Sequence, residues 1–158
     1  MGDFSHLSQD GSARMVDITG KAVTTRQALV GGSVEISSAC SAALNSSSIR
    51  EIITTARIAG IQASKQCSSL IPLCHQIALN KVELEISFDS NCRQFSLLAQ
   101  AASSGTTGVE MEALTAASIA GLTIYDMIKA VDPAATVGPF RLLRKSGGKH
   151  GEWSRADD

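Results

Sequence analysis

The sequence predicts an α+β fold in which one antiparallel sheet carries two helices. Two observations favour it: short stretches of alternating apolar and polar residues, typical of half-buried strands, and two longer stretches with helical spacing of apolar residues. Clusters of turn residues separate these stretches. The length of 158 residues suits one domain with a substantial core. We therefore expect a single domain over residues 1–158, with an N-terminal segment at 1–30 and a flexible, basic, glycine-rich tail at 144–158.

The first predicted elements are a strand and a helix. Residues 31–36 indicate a short strand, because apolar and polar residues alternate behind two glycines that are typical of a turn. A capping box follows, with Ser48 as the N-cap and Glu51 three residues later. The apolar spacing behind it predicts a helix that ends at about Cys67.

A hairpin, a second helix and a last strand complete the pattern. Residues 82–88 and 95–101 alternate on either side of a polar turn and predict two paired strands. A long helix is predicted from Gly108 to Val131. The last strand, at about 136–143, is placed at a sheet edge because the proline within it cannot donate a hydrogen bond.

The resulting order β-α-β-β-α-β is that of the ferredoxin-like split βαβ fold. This fold is an antiparallel sheet with both helices on one face. The N-terminal segment or a partner subunit must then cover the other face, because an exposed apolar sheet face favours association. We therefore expect a homo-oligomer.

Composition argues against several classes of protein. Fourteen Lys and Arg against fifteen Asp and Glu give a net charge of −1, and aromatic residues are only 4%, so no nucleic-acid partner is expected. No apolar run approaches the ~20 residues of a membrane helix, so no membrane partner is expected. The N-terminus lacks a secretory signal pattern, and the four cysteines form no C-x-x-C pair. We expect reduced thiols in a cytoplasmic protein and no structural metal site.

Three polar residues on the long predicted helix are candidates for acid–base chemistry. Asp126 and Lys129 are three residues apart and are therefore neighbours on one face. Glu112 precedes Asp126 by fourteen residues and returns to within ~40° of it, so a shared polar stripe is predicted. These residues span ~21 Å of helix and cannot all contact one substrate atom. A solvated helix face with an ordinary ion pair explains the same spacing.

Three loop segments are candidates for ligand binding. Residues 70–75 form an apolar run that ends in Cys-His, and His75 could titrate near neutral pH. Lys145 and Lys149 lie among glycines and could hold phosphate groups. Residues 105–108 open the long helix, whose free amides suit an anion. The alternatives are a packed loop, a disordered tail and an ordinary helix start.

Five strings of this sequence resemble, in the same order, those of the cyclic pyranopterin monophosphate synthase family, the MoaC-type proteins of molybdenum cofactor biosynthesis. The strings are TARIAGIQA at 55–63, LIPLCH at 70–75, TGVEMEALTA at 107–116, IYDMIKA at 124–130 and LRKSGGK at 143–149. Residues 17–26 are also similar to the N-terminal segment of that family. The resemblance covers nearly the whole chain.

The resemblance implies a ferredoxin-like fold and a hexamer built as a trimer of dimers, with active sites between subunits. The implied reaction converts a 3′,8-cyclised dihydro-GTP, a nucleotide-derived small molecule, into cyclic pyranopterin monophosphate with release of diphosphate. Asp126 and Lys129 would be catalytic, with Lys129 as the proton donor. Substrate contacts are implied for Leu73, Cys74, His75, Met111, Glu112, Lys145, Lys149 and Arg26. No cofactor is firmly implied, and a role for Mg²⁺ stays open.

The sequence departs from the pattern of this family at two positions. Ile49 and Thr106 stand where the family usually has lysines, one of them catalytic. Arg50 is next to the first position, but a guanidinium stays protonated and does not readily release a proton. Three hypotheses stay open: a working synthase with an altered set of cations, a weak or inactive relative that binds a nucleotide-like ligand or serves only in assembly, and a ligand-binding regulatory module.

Overall fold

The computed structural model describes residues 4–149 and 151–156. Its fold is α+β, as predicted. The elements in chain order are β1 (Thr24–Glu35), α1 (Ser38–Ala43), α2 (Ser46–Lys65), α3 (Cys67–Leu70), β2 (Lys81–Asp89), β3 (Gln94–Gly105), α4 (Glu110–Ile128), β4 (Thr136–Val137), β5 (Arg141–Ser146) and β6 (Trp153–Ser154). The strands form one antiparallel sheet in the order β2-β3-β1-β5-β6, and β4 pairs with β1.

The core lies between this sheet and the pair of long helices α2 and α4. Every second residue of β3, from Phe95 to Ala101, is buried against the helices. Four of the nine buried residues of α4 are alanines and one is a glycine, which lets α2 approach closely. At Gly60 of α2, an added Cβ would lie 2.6 Å from the carbonyl oxygen of Ala116. The ferredoxin-like arrangement of the layers is therefore confirmed.

We predict that Gly60→Ala destabilises the protein by about 1–3 kcal/mol, the usual cost of overpacking a core. An alanine in an exposed helix would stabilise the helix instead. At Gly60 the methyl group would meet a backbone atom, which cannot rotate away. Denaturant unfolding measures the change, and Gly20→Ala is the control because nothing lies within 4 Å of its added Cβ. A stability equal to that of the unmodified protein would contradict this account of the helix contact.

Two predicted element starts are wrong. The first strand begins at Thr24, and Gly31 and Gly32 lie within it rather than in a turn. Their missing side chains leave room for Leu143 and Phe140, which pack over them. The N-cap of α2 is Asn45, whose side chain accepts from the backbone amide of Ser48, so the capping box begins three residues earlier than predicted.

The end of α2 and the C-terminal strands also differ in detail from the prediction. Helix α2 ends at Lys65, and a separate short helix follows. The last predicted strand is split into β4 and β5 at the Gly138–Pro139 bond. A flexible tail from residue 144 is wrong in its start, because β5 continues to Ser146 and β6 pairs with it. Positions 150, 157 and 158 of that tail and residues 1–3 of the N-terminal segment lie outside the described residues.

The sheet face opposite the helices carries a mixture of polar and half-buried apolar side chains. Leu29 and Leu98 lie between buried positions of their strands and are only partly covered, and Leu143 of β5 is also half-buried. Between residue 4, the first that the structure describes, and β1, the backbone forms one isolated bridge, between Leu7 and Ala13, and no strand. Among the described residues, no helix has the length and apolar character needed to cross a membrane.

Candidate active site

A cleft of about 640 Å³ lies at the N-terminal end of α4. One wall is the loop after α3, where Leu73, Cys74 and His75 are half-buried. Met111, in the first turn of α4, forms the other wall. The structure therefore brings four of the residues predicted to contact substrate around one cavity.

The N-terminal segment closes this cleft on a third side. His6 and Lys21 line it together with apolar residues of the same segment. Sequence reasoning did not select either residue as a site residue. No periodicity marks this segment, so only its place in the fold shows that it borders the cleft.

A second, smaller pocket of about 80 Å³ lies next to the cleft and contains three predicted cations, Arg26, Lys145 and Lys149. Glu110 borders both cavities. Its carboxylate oxygen Oε1 accepts from Lys145 Nζ at 3.0 Å, so this lysine has a carboxylate partner within the chain. The sequence did not predict this ion pair, which joins two segments that are 35 residues apart.

Arg26 is held in place by backbone atoms. Its Nε donates to the carbonyl of Gly105 and its Nη2 to the carbonyl of Thr106, both at 3.3 Å. The turn after β5 folds over the guanidinium with Gly147 and Gly148 in the left-handed region, at φ of 92° and 75°. A side chain at Gly148 would overlap the Arg26 guanidinium. The glycines therefore let the turn bring lysines on either side of it to the arginine.

Glu112 is only 2% exposed and faces Cys74. The thiol of Cys74 donates to Glu112 Oε1 at 3.7 Å, and the thiol of Cys67 lies 3.9 Å from that of Cys74. Burial raises the pKa of Glu112. Burial also raises the pKa of Cys74 to about 12, with a further contribution from the neighbouring carboxylate. The shared polar stripe with Asp126 and Lys129 is therefore wrong for Glu112, because packing against α3 buries this end of the helix face.

Asp126 and Lys129 lie at the opposite end of α4 from the cleft. Their ion pair is 2.5 Å long, and the side chains are 69% and 57% exposed, respectively. The hydrogen bond that Lys129 Nζ donates to the Asp126 carboxylate raises the pKa of Lys129. Met111 and Asp126 are fifteen residues apart in one helix, which corresponds to ~22 Å. The two predicted catalytic residues therefore do not meet the cleft of their own chain.

The sequence was compared with protein families and with individual known proteins. The sequence model described as "MoaC family" matches residues 15–148. The chain belongs to the MoaC family. A protein of Brucella ovis named cyclic pyranopterin monophosphate synthase is 47% identical over 158 residues, which cover 99% of this chain and 96% of that protein. Cyclic pyranopterin monophosphate synthase 2 of Mycobacterium tuberculosis is 46% identical over 156 residues, 98% of this chain and 92% of that protein.

The matched stretch 15–148 includes the loop and helix walls of the cleft, Arg26 and Lys145 of the cation pocket and the exposed ion pair of α4, whereas His6 and Lys149 lie outside it. The two positions that depart from the family pattern lie differently in the structure. Ile49 is half-buried in the first turns of α2 and lines neither cavity. Thr106 lies beside the cation pocket, where its carbonyl accepts from Arg26.

Proposed function

We propose that this protein is a cyclic pyranopterin monophosphate synthase of molybdenum cofactor biosynthesis. It converts a 3′,8-cyclised dihydro-GTP into cyclic pyranopterin monophosphate and releases diphosphate. The observation that carries the proposal is the 46–47% identity, over nearly the full length of both chains, to proteins of that name. The cleft and the adjoining cation pocket support the proposal, because a nucleotide substrate has a heterocycle that suits the first and phosphates that suit the second.

The two cavities divide the substrate between them. The cleft beside Leu73 and Met111 has apolar walls, and we assign it to the ring system. The pocket of Arg26, Lys145 and Lys149 is assigned to the phosphates, because several cations must converge on a group with several negative charges. Substrate phosphates would then compete with Glu110 for Lys145.

The catalytic pair comes from a neighbouring subunit. Asp126 and Lys129 are exposed and lie ~22 Å along the helix from the cleft, so a second copy of the chain must bring them to it. The partly apolar outer sheet face offers a surface for such an assembly. We propose the hexamer, a trimer of dimers, that the resemblance implies. Each of its sites combines His75 of one subunit with Lys129 of another.

The residues of this composite site would supply proton transfer and orientation. The carboxylate of Asp126 keeps Lys129 protonated, which is the state that a proton donor requires when the purine ring opens and the pterin ring closes. His75 is half-buried at the cleft and orients the substrate or relays a proton there. Glu112 is buried against Cys74, which lines the cleft, and would contact the substrate there. We place the reaction in the cytoplasm, where four free cysteines are expected.

A coupled assay tests the proposed function. The product of the preceding radical enzyme is supplied to the purified protein, and the pterin and diphosphate are quantified. We expect both to form in equal amounts and only in the presence of this protein. Substrate that binds without giving either product would contradict the proposed activity and favour a ligand-binding relative.

We predict that Ile49→Lys raises the turnover by about tenfold, which is less than the contribution of about 10²–10⁴-fold from a well-positioned acid–base group. An ammonium both neutralises phosphate and exchanges a proton, whereas isoleucine does neither. Ser47→Lys is the control, because it adds the same charge in the same turn of α2. Unfolding is measured beside activity, since the loss of a fully buried isoleucine costs ~1.5–3 kcal/mol and Ile49 is half-buried. If the Ile49→Lys rate is unchanged and Arg50→Ala leaves substrate affinity unchanged, this region has no part in the chemistry.

A further inference from the structure

Two cysteines and a carboxylate converge beneath the cleft from three different parts of the fold. Cys67 lies at the start of α3, Cys74 in the loop that follows, and Glu112 in the first turn of α4. One ligand atom from each lies within 4.8 Å of the other two. The fold thus assembles a donor set that the spacing of the cysteines in the sequence did not reveal.

Two of the three distances between these donors are close to the edges of a zinc coordination tetrahedron, and the third is within 4.8 Å. With Zn–S bonds of ~2.3 Å and Zn–O bonds of ~2.0 Å, two sulfurs are about 3.8 Å apart and a sulfur and an oxygen about 3.5 Å apart. The observed distances are 3.9 Å between Cys67 Sγ and Cys74 Sγ and 3.7 Å between Cys74 Sγ and Glu112 Oε1. A disulfide would instead require the sulfurs to approach to ~2.05 Å.

The carboxylate of Glu112 gives independent support for a bound ligand. Its second oxygen, Oε2, is buried and has no hydrogen-bond partner. The residue as a whole is 2% exposed. An unsatisfied buried oxygen costs about 1–3 kcal/mol or more, so native proteins rarely keep one without a function. A cation held by the carboxylate through both of its oxygens would satisfy Oε2 as well as Oε1.

We propose that Cys67, Cys74 and Glu112 bind one zinc ion, or a similar thiophilic divalent cation, in each chain. The two thiols lose their protons to solvent on binding and become thiolate ligands, and the carboxylate is the third ligand. Cys74 also lines the cleft, so the fourth position is open to a water molecule on that side. This site goes beyond the proposed function, and its binding is measured without substrate.

Titration of the metal-free, reduced protein with Co²⁺ tests the proposal. We expect one ion per chain, a thiolate-to-cobalt charge-transfer band in the near ultraviolet and the intense visible bands of tetrahedral cobalt. Zn²⁺ should displace the cobalt and remove these bands. A wild-type protein that shows no thiolate charge-transfer band at stoichiometric Co²⁺ would overturn the proposal.

Three variants show which residues bind the metal. Cys67→Ser should remove one charge-transfer contribution and weaken binding by at least about tenfold, and Glu112→Gln, which keeps the shape of the side chain, should also weaken it by about tenfold. Cys92→Ser is the matched control, because its thiol is exposed on the hairpin outside the cluster. Circular dichroism verifies that each variant folds. Unchanged spectra in folded Cys67→Ser, or loss of the bands in Cys92→Ser, would contradict the assignment.

Discussion

Replacing Lys129 by alanine should reduce product formation by about 10²–10⁴-fold, the usual contribution of a general acid. The side chain is 57% exposed, so its truncation removes little packing and the fold and assembly should be unchanged. The rate of pterin formation in the coupled assay measures the effect, and circular dichroism with light scattering monitors the fold and the oligomeric state.

The matched control for this experiment is Lys81→Ala. Lys81 is also an exposed lysine in an ion pair, 2.6 Å from Glu83, but it lies on the edge strand β2. Its loss should leave turnover unchanged. If Lys129→Ala kept near-normal turnover, or if both variants were equally impaired, Lys129 could not be the proton donor.

Mixing two inactive variants should restore activity if each active site lies between subunits. His75→Ala removes a group at the cleft, and Lys129→Ala removes a group at the far end of α4. In a random mixed assembly, about one quarter of the sites combine an intact His75 from one chain with an intact Lys129 from another. We therefore expect about a quarter of the wild-type rate after co-assembly, compared with almost none for either variant alone.

The control mixture combines Lys129→Ala with Asp126→Asn. These residues form one ion pair at the same end of α4, so every site receives both from a single chain. No mixture of these two variants should recover activity. If His75→Ala and Lys129→Ala also failed to complement each other although they co-assembled, the composite site and the proposed arrangement of subunits would be wrong.

The local pattern of residues was sufficient to predict which segments form elements. The hairpin of β2 and β3 and the helix α4 have strong period-two and helical signals, and both were predicted with ends within a few residues. Strand β1 was predicted too short, because Gly31 and Gly32 resemble a turn locally. Only the side chains of Leu143 and Phe140, which pack over the two glycines, show why a strand contains them.

The sequence by itself determined the order of the elements, the family and the residue types of the candidate site, because periodicity and family strings are properties of neighbouring residues. Only the tertiary structure decided which of the candidate site residues contact one another. Burial turned Glu112 from a surface position into a partner of Cys67 and Cys74, since their contact depends on how α3 packs on α4. The tertiary structure also pairs Glu110 with Lys145. It leaves Asp126 and Lys129 exposed, far from the cleft. Contacts between distant segments follow from packing of the whole chain, which no local spacing encodes.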